Sequence, residues 1–255
     1  MTDIASRRAA FRKMHEAFFI LPNAVDAGEA KALRALGFKA LASTSHGLAL
    51  SLGEDDLTST LEDTLTNLRA LVAATDLPVN ADFEAGFAES AEGVARNVAL
   101  AAETGIAGLS IEDRKGGALY PLEEAVARLR AARGALDAVD PNIVLVGRTE
   151  GFLIGNSDVA ATVARLKAYA AAGADVLYAP GVSKPEDVRA IVEAAAPKPI
   201  NVILVSPTMK AADLERLGVR RVSVGGFLAT AARGAFDAAA KSLAETGALP
   251  PASFA

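Results

Sequence analysis

The sequence predicts an α/β fold of the (β/α)8 TIM-type barrel class, and three observations lead there. Eight short β-rich runs alternate with helical stretches along the 255 residues. Parallel neighbours need a helical crossover, so this alternation implies a parallel sheet. The runs are continuously apolar, as strands are when both faces are covered. The stretch after the first run, LPNAVDAGEA, lacks the glycine fingerprint of an open doubly wound sheet. Eight repeats in this length fit one closed barrel.

Taken in order, the strands fall at Phe19–Ala24, Ala40–Thr44, Val79–Phe83, Gly108–Asp113, Ile143–Thr149, Asp175–Ala179, Ile200–Leu204 and Arg221–Gly225. A polar, amphipathic N-terminal helix precedes the first strand and either caps the barrel base or docks on a neighbour. Gly37, Gly105, Gly173 and Gly218 each stop a helix just before a strand. Helices start after Asp26, Ser90, Ser157 and Ser183, all good N-cap types. Leu122–Leu136 and Val159–Ala172 carry helical periodicity. The alanine-rich last helix, Ala229–Leu243, suits packing on its own barrel or on a partner subunit. No low-complexity linker interrupts the chain, so residues 1–255 read as a single barrel domain with an N-terminal helix.

Composition narrows the chemistry. The hydrophobic fraction is 51%, which supplies a large core. There is no Cys, which excludes disulfides, thiolate catalysis and zinc–thiolate sites. His15 and His46 are the only histidines, too few for a multi-His metal site. A net charge of −5 leaves no footprint for nucleic acid. No segment reads as a membrane span or as the apolar core of a signal peptide, so a cytoplasmic location is expected.

In such a barrel the chemistry sits at the C-terminal ends of the strands. The third strand ends in Val79-Asn80-Ala81-Asp82-Phe83-Glu84-Ala85-Gly86-Phe87. Strand residues i and i+2 share a face, so Asp82 and Glu84 project together. Adjacent carboxylates repel unless a cation or a proton lies between them. Taken alone, the pair reads equally as solvated loop acids. The fourth strand adds Glu112 at the same rim, and the fifth adds Arg148. Together they suit Mg²⁺, a hard cation bound through carboxylate oxygen and water. Arg148 offers a planar fork for a substrate carboxylate. Asp113 and Glu150 read as capping or rim residues, and His46 as either a packed loop histidine or a substrate contact.

Several segments, in order, resemble the isocitrate lyase/phosphoenolpyruvate mutase superfamily: FFILPNAVDAG, ASTSHGLALSLGEDD, LPVNADFEAGF, GIAGLSIEDR, LVGRTEGFL, AGADVLYAPG and PINVIL. The most specific is D-x-[DE]-x-G-[YF], here Asp82 to Phe87, followed by I-E-D. The resemblance implies a barrel whose last helix is often swapped between subunits, in a homodimer or homotetramer. It implies Mg²⁺, replaceable by Mn²⁺, held directly by Asp82. Glu84, Glu112 and Asp56 would support the ion through water, with Asp55 the neighbouring alternative to Asp56. It also implies that backbone amides at Thr44, Ser45 and His46 bind a substrate carboxylate, helped by Arg148 and Asn201. The family chemistry breaks or makes a C–C or P–C bond beside a 2-oxo carboxylate, through a pyruvate-like enolate.

Two departures bear on the reaction. The isocitrate and methylisocitrate lyases carry a K-K-C-G-H flap with a cysteine acid, where this chain has Arg114-Lys115-Gly116-Gly117-Ala118-Leu119-Tyr120. The longer gating loop of the phosphonate enzymes is also missing. A proton donor must then come from Lys115, Tyr120, His46, Tyr178 or water, with Lys115 ranked first. The expected activity is therefore a Mg²⁺-dependent C–C lyase acting on a small 2-oxo or 2-hydroxy carboxylic or dicarboxylic acid, of which oxaloacetate decarboxylation is one form. The alternatives are a P–C bond hydrolase or phosphonomutase, and a barrel that binds 2-oxo acids without turnover.

Overall fold

Eight parallel strands share one sheet in the computed structural model, which describes residues 3–254. In chain order the strands are β1 (Phe19–Leu21), β2 (Leu41–Ala42), β3 (Val79–Asp82), β4 (Gly108–Glu112), β5 (Arg114–Lys115), β6 (Ala118–Leu119), β7 (Val144–Arg148), β8 (Val176–Tyr178), β9 (Ile200–Ile203) and β10 (Arg221–Ser223). β5 and β6 form a separate antiparallel hairpin, and the sheet runs β1-β10-β9-β8-β7-β4-β3-β2. Asn23 bridges Ala42 in parallel, and Ala24 N donates to Ala42 O at 2.8 Å. That contact brings the two end strands together and nearly closes the barrel. All eight expected barrel strands are present, each shorter than expected because its end residues leave the ladder to turn.

Alternation along the strands separates two apolar layers. Val144, Val146 and Val176 pack inward with Ala42 and Phe11. Leu145, Leu177 and Leu109 face outward into the larger core under the helices. Those helices are α2 (Ala27–Ala35), α3 (Ser45–Leu52), α4 (Leu61–Ala74), α5 (Ala91–Glu103), α6 (Leu122–Val139), α7 (Val159–Ala171), α8 (Pro185–Ala195), α9 (Ala211–Arg216) and α10 (Phe227–Thr246), preceded by α1 (Ile4–Met14).

α1 caps the base of its own barrel. Phe11 is fully buried in the inner layer. Arg8 donates to the Ala102 and Ile106 carbonyls, and Arg12 to Asp175. The expected helix stops hold: Gly37, Gly105, Gly173 and Gly218 all have φ between 91° and 104°, which a side chain would strain. Two expected starts shift by one residue. Asp158 caps α7 by accepting from Ala161 N, and Lys184 rather than Ser183 precedes α8 because Pro185 takes its first position. α10 is longer than expected, and Ala229 is its one buried residue.

Candidate active site

Three strand ends meet at the C-terminal mouth. β4 and β7 place Glu112 opposite Arg148, and β7 and β8 place Arg148 opposite Tyr178. Arg148 Nη1 donates to Asp82 Oδ1 at 3.1 Å, and Nη2 lies 3.3 Å from Glu112 Oε2. Its Nε donates to Glu150 Oε1 at 2.5 Å. Burial disfavours the guanidinium charge, but Glu150, Glu112 and Asp82 outweigh it and hold the arginine well above its ordinary pKa. One cation thus ties together carboxylates from three segments.

The β2–α3 junction supplies backbone donors. Thr44 caps α3, its hydroxyl accepting from Gly47 N at 3.2 Å. Ser45 donates to Asp82 Oδ2 twice, from N at 3.0 Å and from Oγ at 2.9 Å. A Cβ on Gly47 would lie 2.6 Å from both Thr44 Cγ2 and Val25 Cγ2, so the tight turn needs glycine. The α3 N-terminus, with its positive dipole end, therefore abuts Asp82, and the Ser45 amide is bonded to it.

Glu84 reaches the site by a route different from the one expected. β3 ends at Asp82, and Glu84 has φ 46°, so a left-handed turn rather than strand alternation directs it. Its Oε1 is buried without a partner. Burial pushes the Glu84 carboxyl up to about 7, with the charges of Asp82 and Asp56 adding and Arg148 opposing. Burial likewise raises Glu112. Crowded, desolvated carboxylates with an orphaned oxygen and no sulfur nearby fit a hard divalent cation. Among the described residues, no three acids or histidines already surround one point.

The remaining sequence-predicted residues divide. Asp56 lies 3.7 Å from His46 Nδ1, both about half exposed. Asn201 is buried, accepting from Arg221 Nε at 2.9 Å and donating to Ser223 Oγ at 3.0 Å. It lines an axial cavity of about 40 Å³ with Asp82, Arg148, Tyr178 and Arg221. Lys115 sits on the hairpin, ion-paired at 2.7 Å with exposed Glu89. It borders a different groove, of about 480 Å³, which also contains Glu84 and Glu112.

Three further residues shape the site. Glu150 is 1% exposed and bonds Arg148, so it is more than a rim acid. Asp113 is equally buried: it accepts from Glu150 N and is held by Arg165 and the Tyr169 hydroxyl. Arg221, at the start of its strand, was not singled out from sequence; it donates to Asn201, its register partner on the neighbouring strand β9. The one local signal was the R-T-E spacing, which sets Glu150 two residues from Arg148.

Comparisons with known proteins agree with the fold. The profile of the phosphoenolpyruvate phosphomutase family matches residues 11–244. 2-Methylisocitrate lyase of Salmonella typhimurium is 36% identical over 172 residues, which is 63% of this chain and 57% of that enzyme. The chain thus spans a little over half the length of the first curated relatives it matches. 2,3-Dimethylmalate lyase of Eubacterium barkeri is 30% identical, covering 78% of this chain and 72% of the enzyme. In structure, a candidate lyase/mutase from Burkholderia cenocepacia J2315 superposes with TM-score 0.93 at 42% identity, covering 97% of this chain and 92% of that one. With the barrel, the strand-end acids and the family profile in agreement, the chain belongs to the isocitrate lyase/phosphoenolpyruvate mutase superfamily.

Proposed function

We propose that this protein is a Mg²⁺-dependent carbon–carbon lyase acting on a small 2-oxo or 2-hydroxy dicarboxylic acid. The observation that carries the reading is the cluster in which Arg148 joins Asp82 and Glu112 beside the unpartnered Glu84 oxygen. Asp82 would hold the ion directly, with Glu84, Glu112 and Asp56 supporting it through water. The bound metal would supply Lewis-acid stabilisation of negative charge on the 2-oxo fragment. The chain's own groups do the rest. The amides of Thr44, Ser45 and His46, around the α3 N-terminus, would receive the substrate carboxylate, the Ser45 amide leaving its bond to Asp82 as the acid turns to the ion. Arg148 turns its fork from the acids towards the developing anion, and Asn201 with Arg221 supports the axial floor.

The chain has no Cys, and a six-residue hairpin, Arg114 to Leu119, stands where the lyases of this family carry their cysteine flap. Decarboxylation needs no acid for its departing CO₂, so an oxaloacetate-like substrate suits this site best. Relatives named oxaloacetate decarboxylase in Rhodopseudomonas palustris are up to 37% identical to it. Lys115 is proposed as the group that returns a proton from the hairpin side.

The last helix supports assembly with a second copy. Phe227, Leu228, Phe236 and Leu243 on α10 are all at least 42% exposed. A homodimer or homotetramer that exchanges α10 would bury them.

The test is direct. Purified protein with Mg²⁺ is assayed against oxaloacetate, 2-methylisocitrate and phosphonopyruvate. Pyruvate from oxaloacetate, lost in Asp82→Ala, is expected. Phosphate from phosphonopyruvate would favour P–C cleavage. No turnover of any substrate, with Asp82→Ala binding Mg²⁺ as tightly as the parent, would sink the reading.

A further inference from the structure

Arg128 on α6 is 1% exposed, yet the closest carboxylate, on half-exposed Glu124, stands 4.0 Å away. A buried guanidinium without a tight acid partner needs other acceptors. Those it finds, for Nη1 and Nη2, all lie in one loop, while Nε is buried without a partner. Nη1 donates to Glu89 O at 2.9 Å, and Nη2 to Ala85 O at 2.9 Å and Ala88 O at 2.6 Å. Asn97 of α5 donates to Gly86 O at 3.0 Å and Phe87 O at 2.9 Å. Five consecutive carbonyls, Ala85 to Glu89, are therefore held by two side chains. The Tyr120 ring covers the other side of the guanidinium, its centroid 4.2 Å from Cζ.

The gripped loop is strained. Glu84 and Phe87 both take left-handed backbone, at φ 46° and 53°, around Gly86 at 88°. Non-glycine residues hold such angles only where surrounding contacts over-determine them, and such strain clusters at functional sites. The strained stretch begins at Glu84, whose carbonyl accepts from Glu112 N at 2.9 Å.

We propose that Arg128 is the positioning residue for Glu84: by holding the carbonyls of Ala85, Ala88 and Glu89, it keeps the left-handed turn that aims the Glu84 carboxylate into the cluster with Asp82. The inference rests on the reading of Glu84 as support for a divalent ion. Arg128 touches neither ion nor substrate and acts only through the loop. The same groove wall joins it to the hairpin, because Lys115 pairs with Glu89 and stands 5.6 Å from the Tyr120 centroid.

The experiment compares Mn²⁺ binding, by electron paramagnetic resonance titration, in the parent, Arg128→Met, Arg128→Lys, Glu84→Gln and the Arg128→Met/Glu84→Gln pair. Amide exchange over residues 83–89 is followed in parallel. Methionine keeps the stem under Tyr120 and removes only the donors. Arg128→Met is expected to bind Mn²⁺ about ten- to hundredfold more weakly, the range typical for residues that orient metal ligands. The double variant should be no weaker than Glu84→Gln alone, because both act through one carboxylate. Arg128→Lys should recover part of the affinity. Exchange in residues 83–89 should quicken in Arg128→Met while the barrel strands stay protected. Should Arg128→Met be too unstable to purify, Asn97→Ala, which frees the Gly86 and Phe87 carbonyls, carries the same expectations. Normal Mn²⁺ affinity despite a loosened loop, or losses that simply add in the double variant, would overturn the proposal and leave the metal reading intact. A parent that binds no Mn²⁺ would overturn the metal reading, and this inference with it.

Discussion

Arg148 Nη1 donates to Asp82 Oδ1 across 3.1 Å, joining two strand ends that lie 66 residues apart in sequence. In the proposed function, one guanidinium would be both the counter-charge of the metal-site acids and the anion fork of the substrate site. Arg148→Lys keeps the charge and loses the fork. It should lower kcat/KM on the responsive substrate by about 10²–10³, the usual cost of one preorganised donor. Arg148→Met leaves buried Glu150 and Glu112 uncompensated and should lower the unfolding free energy by about 3 kcal/mol, read from urea denaturation. Full activity in Arg148→Lys would remove the fork from the mechanism.

Metal binding should be visible as stability. Mg²⁺ at a hundred times its dissociation constant should add about 2.7 kcal/mol to unfolding, and chelation should reverse the gain. Asp82→Asn should show no gain at the same concentration. Calorimetric melting with and without Mg²⁺ checks both, and an equal gain in the variant would place the ion elsewhere.

His15 makes the barrel base sensitive to acid. Burial, helped by the nearby Arg221 charge, lowers its pKa from 6.5 to about 3, while Asp175 opposes weakly. The unfolded chain therefore holds a proton that the folded chain lacks between those values. Stability is independent of this group above pH 6.5 and falls as pH drops towards 3, by up to about 1.4 kcal/mol per unit. At about pH 5 the parent should have lost about 2 kcal/mol more than His15→Gln, relative to about pH 7.5. Denaturant titrations at both pH values decide it, and identical losses would show that His15 is not the sensor. Arg12, Arg221 and Asp175 are the charged groups nearest to it and stay in place in both proteins.

Phe236 on α10 is 66% exposed, which a lone barrel does not explain. Phe236→Asp should shift the protein to a smaller species in light scattering after size exclusion. An unchanged mass, or a monomeric parent, would count against the exchanged helix.

Much of the fold was readable because its signals are local. Strand runs, glycine stops and caps each depend on residues a few positions apart, and a (β/α)8 reading needs only their count and alternation. The rim positions of Asp82, Glu112 and Arg148 followed from the same count, since every parallel strand delivers its last residue to one end. Glu84 shows where local reading stops. Alternation placed it beside Asp82, and the loop does bring it there, but through a left-handed turn held by Arg128 and Asn97 from α6 and α5. Asp113 read as a capping or rim residue because its partners, Tyr169 and Arg165, lie more than fifty residues away on α7, whereas the partner of Glu150 is Arg148 only two residues before it.

The sequence alone therefore determined the element order, the barrel class and the end of the barrel that carries acids, because hydrophobic period and turn chemistry are written residue by residue. Tertiary structure decided which groups meet. The Arg148–Asp82 pair, the Arg221–Asn201 pair between β10 and β9 and the joint grip of Arg128 and Asn97 on the five carbonyls from Ala85 to Glu89 arise only when elements distant in sequence pack. Their energies come from burial and charge at distances that no local pattern encodes.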